Sequence, residues 1–303
     1  MDVLTTTDLT KSYNGQTVVD RVNITITAGE IFGLIGENGA GKTTLMRLIT
    51  GLSRPDSGQI NLFSASTPSE LAQARRRLGS VIETPAVYPN LTALQNLECH
   101  RLQCGVTDKR ASGRVLEQVG LADTGKKKAH AFSLGMKQRL GLALALVTRP
   151  DFVILDEPIN GLDPIGVIEM RDLMHNLSSQ GVTVLISSHI LAELSQVATR
   201  YAIIHRGRIL TTLTQAQLHE QCSRALAITV DDTAAAVVSL ETRLGIRHYK
   251  VVDAQQIRVY EQLDNPVGVA TALAQAGIQV TRIVEVGDTL EDFFLATIQG
   301  ATK

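Results

Sequence analysis

Gly36, Glu37, Asn38, Gly39, Ala40, Gly41, Lys42, Thr43 and Thr44 read GENGAGKTT, which fits the spacing G-x-x-x-x-G-K-[ST]. Glycines let such a loop wrap tightly and aim its backbone N–H groups inward, making a concave surface for an anion. A helix that starts at the end of the loop adds partial positive charge. In that setting Lys42 reaches the β- and γ-phosphates of a nucleotide as a mobile cation, and Thr43 offers its hydroxyl to Mg2+. The motif has this meaning only between a strand and a helix. The apolar run Ile31 to Ile35 before it and a helical pattern to Ile49 after it supply both. A glycine-rich turn without a ligand is the alternative, and the two flanks weigh against it.

A phosphate site of this kind needs a carboxylate at the end of a second strand. FVILDEP provides one: Asp156 follows the apolar residues Phe152 to Leu155 and is placed to hold Mg2+, directly or through water. Glu157, one residue on, is placed to polarise an attacking water. Neighbouring carboxylates repel each other, and a shared cation would help keep both charged. An acidic pair capping the turn before Pro158 is the plainer reading. His189 closes VTVLISSH, one strand-helix unit later, and is either a γ-phosphate contact or a hydrogen-bonded structural residue. Tyr13 either stacks on a base or packs in a hairpin.

One further stretch, FSLGMKQRLGLALAL from Phe132 to Leu146, sets a puzzle. Ser133 is a good N-cap, but Lys137 and Arg139 put cations in the early turns of a helix whose dipole favours anions there. A Ser-x-Gly turn at a helix N-terminus is a surface that can stabilise charge on a γ-phosphate held by another protein surface.

These residues must be positioned by strands and helices in alternation. VNITITAGEIFGLIG reads as strands around a turn at Ala28-Gly29-Glu30, followed by a helix over about 41–49 with Gly51 just beyond its end. RPDSG, Arg54 to Gly58, is a turn. The region from about 85 to 148 is rich in helix, with a capping box at Thr92-x-x-Gln95 and a stop at Gly120. A strand at Phe152 to Leu155, a helix opening at Asp163-Pro164, the strand VTVLIS and a helix from about Ile190 complete an α/β pattern with a parallel sheet and crossover helices. After Thr214 the order becomes β-α-β-β-α-β, the split βαβ pattern of a small ferredoxin-like domain. The boundary falls near Gln215 to Ser223, giving domains of 1–215 and 216–303. RRR at Arg75 to Arg77 and KKK at Lys126 to Lys128 read as solvated basic faces.

Composition limits the partners. The chain has 303 residues, 44% hydrophobic, with a formal net charge of -1 and only 4% aromatics. Nothing in that balance draws nucleic acid, and base-stacking platforms are not expected. Cys99, Cys104 and Cys222 have no metal-type spacing and read as reduced thiols in a cytosolic setting. No signal peptide and no spanning helix is expected.

Taken together, GENGAGKTT, SLGMKQ, ILDEP, NGLDP (Asn160 to Pro164) and SSH (Ser187 to His189) resemble, in order and spacing, the ATP-binding subunits of ABC transporters. The resemblance covers about residues 1 to 215, and the tail TLEDFFLATIQG is similar to an extension on subunits serving drug and peptide exporters. FSLGMKQRLGLALAL and VIETPAVYPNLTALQNL look like the versions found in the bacitracin-resistance and lantibiotic-immunity subgroup. The resemblance implies a P-loop NTPase core with an antiparallel β subdomain and a helical subdomain. It also implies a head-to-tail dimer holding two ATP molecules, and a separate transmembrane permease subunit met by the helical segment. In that scheme Ser133 and Gly135 contact the γ-phosphate held by the other subunit's Lys42. Tyr13 stacks on adenine, Glu157 is the general base, His189 the γ-phosphate switch, and Asp163 a contact across the dimer. Two departures stand out: Leu134 and Met136 replace a glycine and a glutamine of the common signature, and Glu83 stands where the family has a glutamine, as a further Mg2+ ligand. The implied role is an ATPase peripheral to the inner face of the membrane, driving export or clearance of an antimicrobial peptide or drug-like amphiphile. A soluble ABC-type ATPase with a regulatory role, or one acting on ribosomes or DNA, is the rival. It fits less well with one phosphate loop and only about 90 residues between Lys42 and Ser133.

Overall fold

The computed structural model describes residues 1–222, 224–287 and 290–301. Ser223, at the expected domain boundary, and Thr289, which opens the expected tail segment, lie outside the described residues. The chain divides into two compact units, Met1–Gln215 and Ala216–Ala301.

The first unit opens with a hairpin. Strands Asp2–Tyr13 and Gln16–Thr27 pair antiparallel through Asn14-Gly15, whose φ values of 50° and 80° match the right-handed twist of the strands they join. Ser57–Leu62 pairs on the other side of Asp2–Tyr13 and completes a three-stranded sheet.

A six-stranded sheet forms the centre. In spatial order its strands are Leu78–Val81, Phe152–Leu155, Thr183–Ser188, Ile31–Ile35, Arg200–His205 and Arg208–Thr214. The first five run parallel and the last antiparallel. Every residue of Ile31–Ile35, Phe152–Leu155 and Thr183–Ser188 is buried. Elements cover both faces, so these strands show no polar alternation. Phe32, Leu34, Ile154 and Leu185 pack with Leu45, Met46 and Leu48 of helix Lys42–Thr50 and with Leu4, Val22, Ile26 and Leu62 of the smaller sheet.

The helix-rich region holds Ala93–Gln103, Ala111–Gln118 and Leu134–Leu146. The expected capping box forms: Gln95 N donates to Thr92 Oγ1 at 3.2 Å and Thr92 N to Gln95 Oε1 at 2.9 Å. Arg75 departs from the expected solvated basic face. Its Nε donates to Ile49 O at 3.0 Å, placing a cation on the carbonyl end of helix Lys42–Thr50, where the dipole favours it. Arg77 stacks on the Phe63 ring at 3.7 Å and pairs with Asp151 at 2.6 Å. Lys126, Lys127 and Lys128 are exposed.

Between a helix at Gln215–Cys222 and a last helix at Leu290–Ala301, the second unit follows the order β-α-β-β-α-β. Its antiparallel sheet runs Tyr249–Val251, Gln256–Val259, Ala225–Val230, Val280–Val286. Helices Thr233–Leu244 and Pro266–Gln275 bury Ala236, Leu240, Val269 and Leu273 against Leu226, Ile228, Ile257 and Val259. Cys99 and Cys104 form no disulfide among the described residues. Among the described residues no helix is long and apolar enough to cross a membrane.

Candidate functional site

Parallel register gathers the chemistry. Ile35 lies opposite Ser188 and Leu155 opposite Ile186, so the segments that leave these strands emerge along one edge. That is where ligands bind on open α/β sheets. The first of them is the glycine-rich loop. Gly41, the N-cap of helix Lys42–Thr50, has φ 106°, and a Cβ there would lie 2.5 Å from the carbonyl oxygen of Val18. Only glycine meets both constraints. The side chain of Lys42, 5% exposed, folds back over the loop and donates to the carbonyls of Gly36 at 2.6 Å and Glu37 at 3.1 Å.

Asp156 is held between two hydroxyls. Thr43 Oγ1 donates to its Oδ2 at 2.7 Å and Ser187 Oγ to its Oδ1 at 2.6 Å. The residue is 6% exposed. A buried carboxylate whose hydrogen-bond partners among the described residues are both neutral retains an uncompensated charge. A carboxylate and a hydroxyl side by side are hard oxygen donors of the kind Mg2+ takes, so the pair fits that ion.

Glu157 sits at the junction. Its Oε1 is 3.3 Å from Lys42 Nζ, and its Oε2 is 2.9 Å from His189 Nδ1 and 3.2 Å from Asn160 Nδ2. An ionised carboxylate only accepts, so Nδ1 carries the proton in this contact. The backbone of Glu157 is left-handed, φ 48°, a costly conformation for a side chain with a Cβ. Its N–H donates to Ser187 Oγ at 2.9 Å, which helps to hold it. A carboxylate 22% exposed, oriented by three neighbours, is able to take a proton from water.

The structure thus brings Lys42, Thr43, Asp156, Glu157 and His189 together. Among the described residues no hydrogen bond or ion pair joins Ser133, Gly135, Asp163, Tyr13 or Glu83 to this group. Ser133 caps helix Leu134–Leu146 by accepting from Met136 N at 3.3 Å. Gly135 lies in that helix's first turn, and Leu134 between them is 48% exposed. The expected conflict of cations is partly relieved, because Arg139 pairs with Glu169 at 3.2 Å. Asp163 caps helix Pro164–Ser179 through Gly166 N at 3.2 Å. Tyr13 is 43% exposed, and its hydroxyl meets Ser53 Oγ at 3.1 Å. Glu83, placed among the Mg2+ ligands by resemblance, instead pairs with Arg47 at 2.8 Å. Its φ is 60°, and no hydrogen bond or ion pair joins it to Thr43 or Asp156 among the described residues. Ser187 and Asn160 were missed as positioning residues. A hydroxyl at the last buried turn of a strand facing an acidic pair was the available signal for Ser187.

A parallel sheet with this loop, a buried aspartate and a neighbouring glutamate defines a nucleotide-hydrolysing P-loop domain. The family pattern described as ABC transporter matches residues 19–160. The chain is 43% identical over 301 residues to the bacitracin transport ATP-binding protein BcrA of Bacillus licheniformis, spanning 99% of this chain and 98% of that protein. It is 42% identical over 203 residues to the lantibiotic transport ATP-binding protein SrtF of Streptococcus pyogenes, spanning 67% of this chain and 87% of that one. A solved ATP-binding subunit of an ABC transporter superposes with a TM-score of 0.65 at 30% identity, over 72% of this chain and 92% of that structure. The chain belongs to the ABC transporter ATP-binding family, and its activity is ATP hydrolysis.

Proposed function

We propose that this ATPase powers a separate transmembrane permease that exports an antimicrobial peptide or drug-like amphiphile, or clears it from the membrane. The cargo class rests on likeness to proteins named for bacitracin and lantibiotic transport. Residues 1–215 form the ATPase domain, with the helical subdomain over about 85–148 as the surface for the permease. Residues 216–303 form an accessory domain. The protein then works at the inner face of the membrane as a peripheral subunit.

The observation that carries the reading is the contact of Glu157 with Lys42 and His189 beside the Asp156–Thr43 pair. Lys42 leaves the loop carbonyls for the anionic phosphates, a stronger partner than a neutral oxygen. Thr43 and Asp156 would hold Mg2+, which would neutralise charge on the phosphates. Glu157 takes the proton of the attacking water, and His189 orients Glu157 and faces the γ-phosphate. Ser133, exposed, and Gly135, half-buried in the first helical turn, serve the phosphates of a second copy, so two ATP molecules are shared across a dimer. Tyr13 stacks on the adenine of the ATP its own copy holds, and Asp163 contacts the second copy. Glu157→Gln tests the core of this. The amide cannot accept the proton, so turnover should fall at least about a hundredfold while ATP still binds. The variant should run as a dimer on gel filtration with Mg-ATP. A monomer at high protein concentration, or normal turnover, counts against the scheme.

A further inference from the structure

The glycine-rich loop carries a negative charge that its ligand would not welcome. Glu37 is 55% exposed and lies one residue into a loop that gathers anions. Across from it stands His205, the last residue of strand Arg200–His205. Its side chain is 12% exposed, and Nδ1 lies 3.3 Å from Glu37 Oε2. The contact is close but not aligned, and neither ring nitrogen finds a hydrogen-bond partner among the described residues. The turn that follows His205 is tied to the same loop, since Gly207 N donates to Ala40 O at 2.9 Å.

The other charged groups around this turn are engaged or exposed. Lys42 points to the carbonyls of Gly36 and Glu37 and to Glu157. Asp20, whose backbone N–H donates to Gly207 O, is paired with Arg208 and Arg21, and Arg208 holds its carboxyl below the usual carboxylate value. Arg206 is exposed in the turn itself. Among the described residues Glu37 is therefore the carboxylate within ion-pair distance of the imidazole.

We infer that His205 is a positioning residue for the phosphate loop, whose proton offsets the charge of Glu37 and so lets the loop accept a polyphosphate. The inference rests on the reading of residues 36–44 as the ATP site. When His205 is protonated, the pair is neutral overall and the loop presents its amides and Lys42 without an opposing charge. When His205 loses its proton, Glu37 stands uncompensated beside the phosphates and repels them. Affinity for Mg-ATP should then be weaker where the imidazole is neutral than where it is charged. The contact acts on binding and not on the proton transfer at Glu157, so the effect belongs in Kd and not in the rate of hydrolysis once ATP is bound.

The test is calorimetric titration of the full chain with Mg-ATP at about pH 6 and about pH 8, bracketing the histidine range, for wild type, His205→Gln, Glu37→Gln, the double variant and Lys42→Ala. Thermal melts confirm that each is folded. Titration of the nucleotide itself is common to all forms and cancels in their ratios. His205→Gln should bind about fivefold more weakly than wild type at the lower pH, a change of about 1 kcal/mol, and match it at the higher pH. Glu37→Gln should bind more tightly than wild type at the higher pH. In the Glu37→Gln background His205→Gln should have no effect at the higher pH, because the charge it answers is gone. Equal loss at both pH values, or a loss at the higher pH that persists without Glu37, would make His205 a packing residue and overturn the inference. Identical Kd for His205→Gln and wild type at the lower pH overturns it equally. Lys42→Ala should weaken binding at both pH values, and wild-type affinity in that variant alone would reject the phosphate loop as the ATP site.

Discussion

Ser187 shows how much one hydroxyl can organise. It donates to Asp156 and accepts from the backbone N–H of Glu157, so one atom fixes both carboxylate positions. Glu157 pays for its left-handed backbone with that bond among others. Ser187→Ala removes a hydrogen bond to a charged group, worth about 1.5–3 kcal/mol, from a fully buried site. Turnover should drop roughly tenfold to a hundredfold, while the Kd for Mg-ATP shifts far less, since Lys42 and the loop amides are untouched. Steady-state rates beside equilibrium titration separate the two. A Kd that moves as far as the rate would mean Ser187 acts through Asp156 and not through the base.

Among the elements, helix Leu134–Leu146 and strand Leu78–Val81 approach closely because Gly79 has no side chain. A Cβ there would lie 2.3 Å from Ala145 O. Gly79→Ala must push helix from strand, at a cost of about 1–3 kcal/mol, which should lower the thermal midpoint by several degrees. An unchanged midpoint would show that the helix yields freely. The helix-rich region carries its own acid sensitivity. Hydrogen bonds from Arg101, and then from Ser112, hold the Glu98 carboxyl below its usual range. A lowered folded-state value means the stability is fully present above the carboxylate's unfolded pKa, about 4.3. It is lost as pH falls through the lowered value. The urea midpoint of Glu98→Gln should therefore lie below that of wild type near neutral pH and converge with it in acid. A constant gap would deny any role to ionisation.

At the scale of the whole molecule, no hydrogen bond or ion pair among the described residues joins the exposed Ser133 to the cluster around Lys42. Ser133→Arg should therefore leave ATP binding to the isolated protein intact but block turnover. Mixed with Lys42→Ala, it should regain part of the activity, because one composite site in the mixed dimer keeps both an intact loop and an intact turn. ATPase assays of the two variants apart and together read this directly. Loss of ATP binding by Ser133→Arg alone would place the turn in its own chain's site.

The sequence by itself determined the loop, its lysine and threonine, and the Asp156–Glu157 pair. These are local signals: glycine spacing between an apolar strand and a helix, and an acidic pair closing an apolar run. It also determined caps such as Thr92–Gln95 and Asp163, whose partners lie three residues away. Tertiary structure decided what depends on register between distant strands. The pairing of Ile35 with Ser188 and of Leu155 with Ile186 puts His189 and Ser187 beside Glu157, and no local pattern encodes that distance. The same holds for Glu83, which resemblance put near Mg2+ and the fold pairs with Arg47, and for His205 beside Glu37. Side chains of opposite charge choose partners by where packed strands and helices leave them, because Coulomb attraction depends on distance in space and not on separation along the chain.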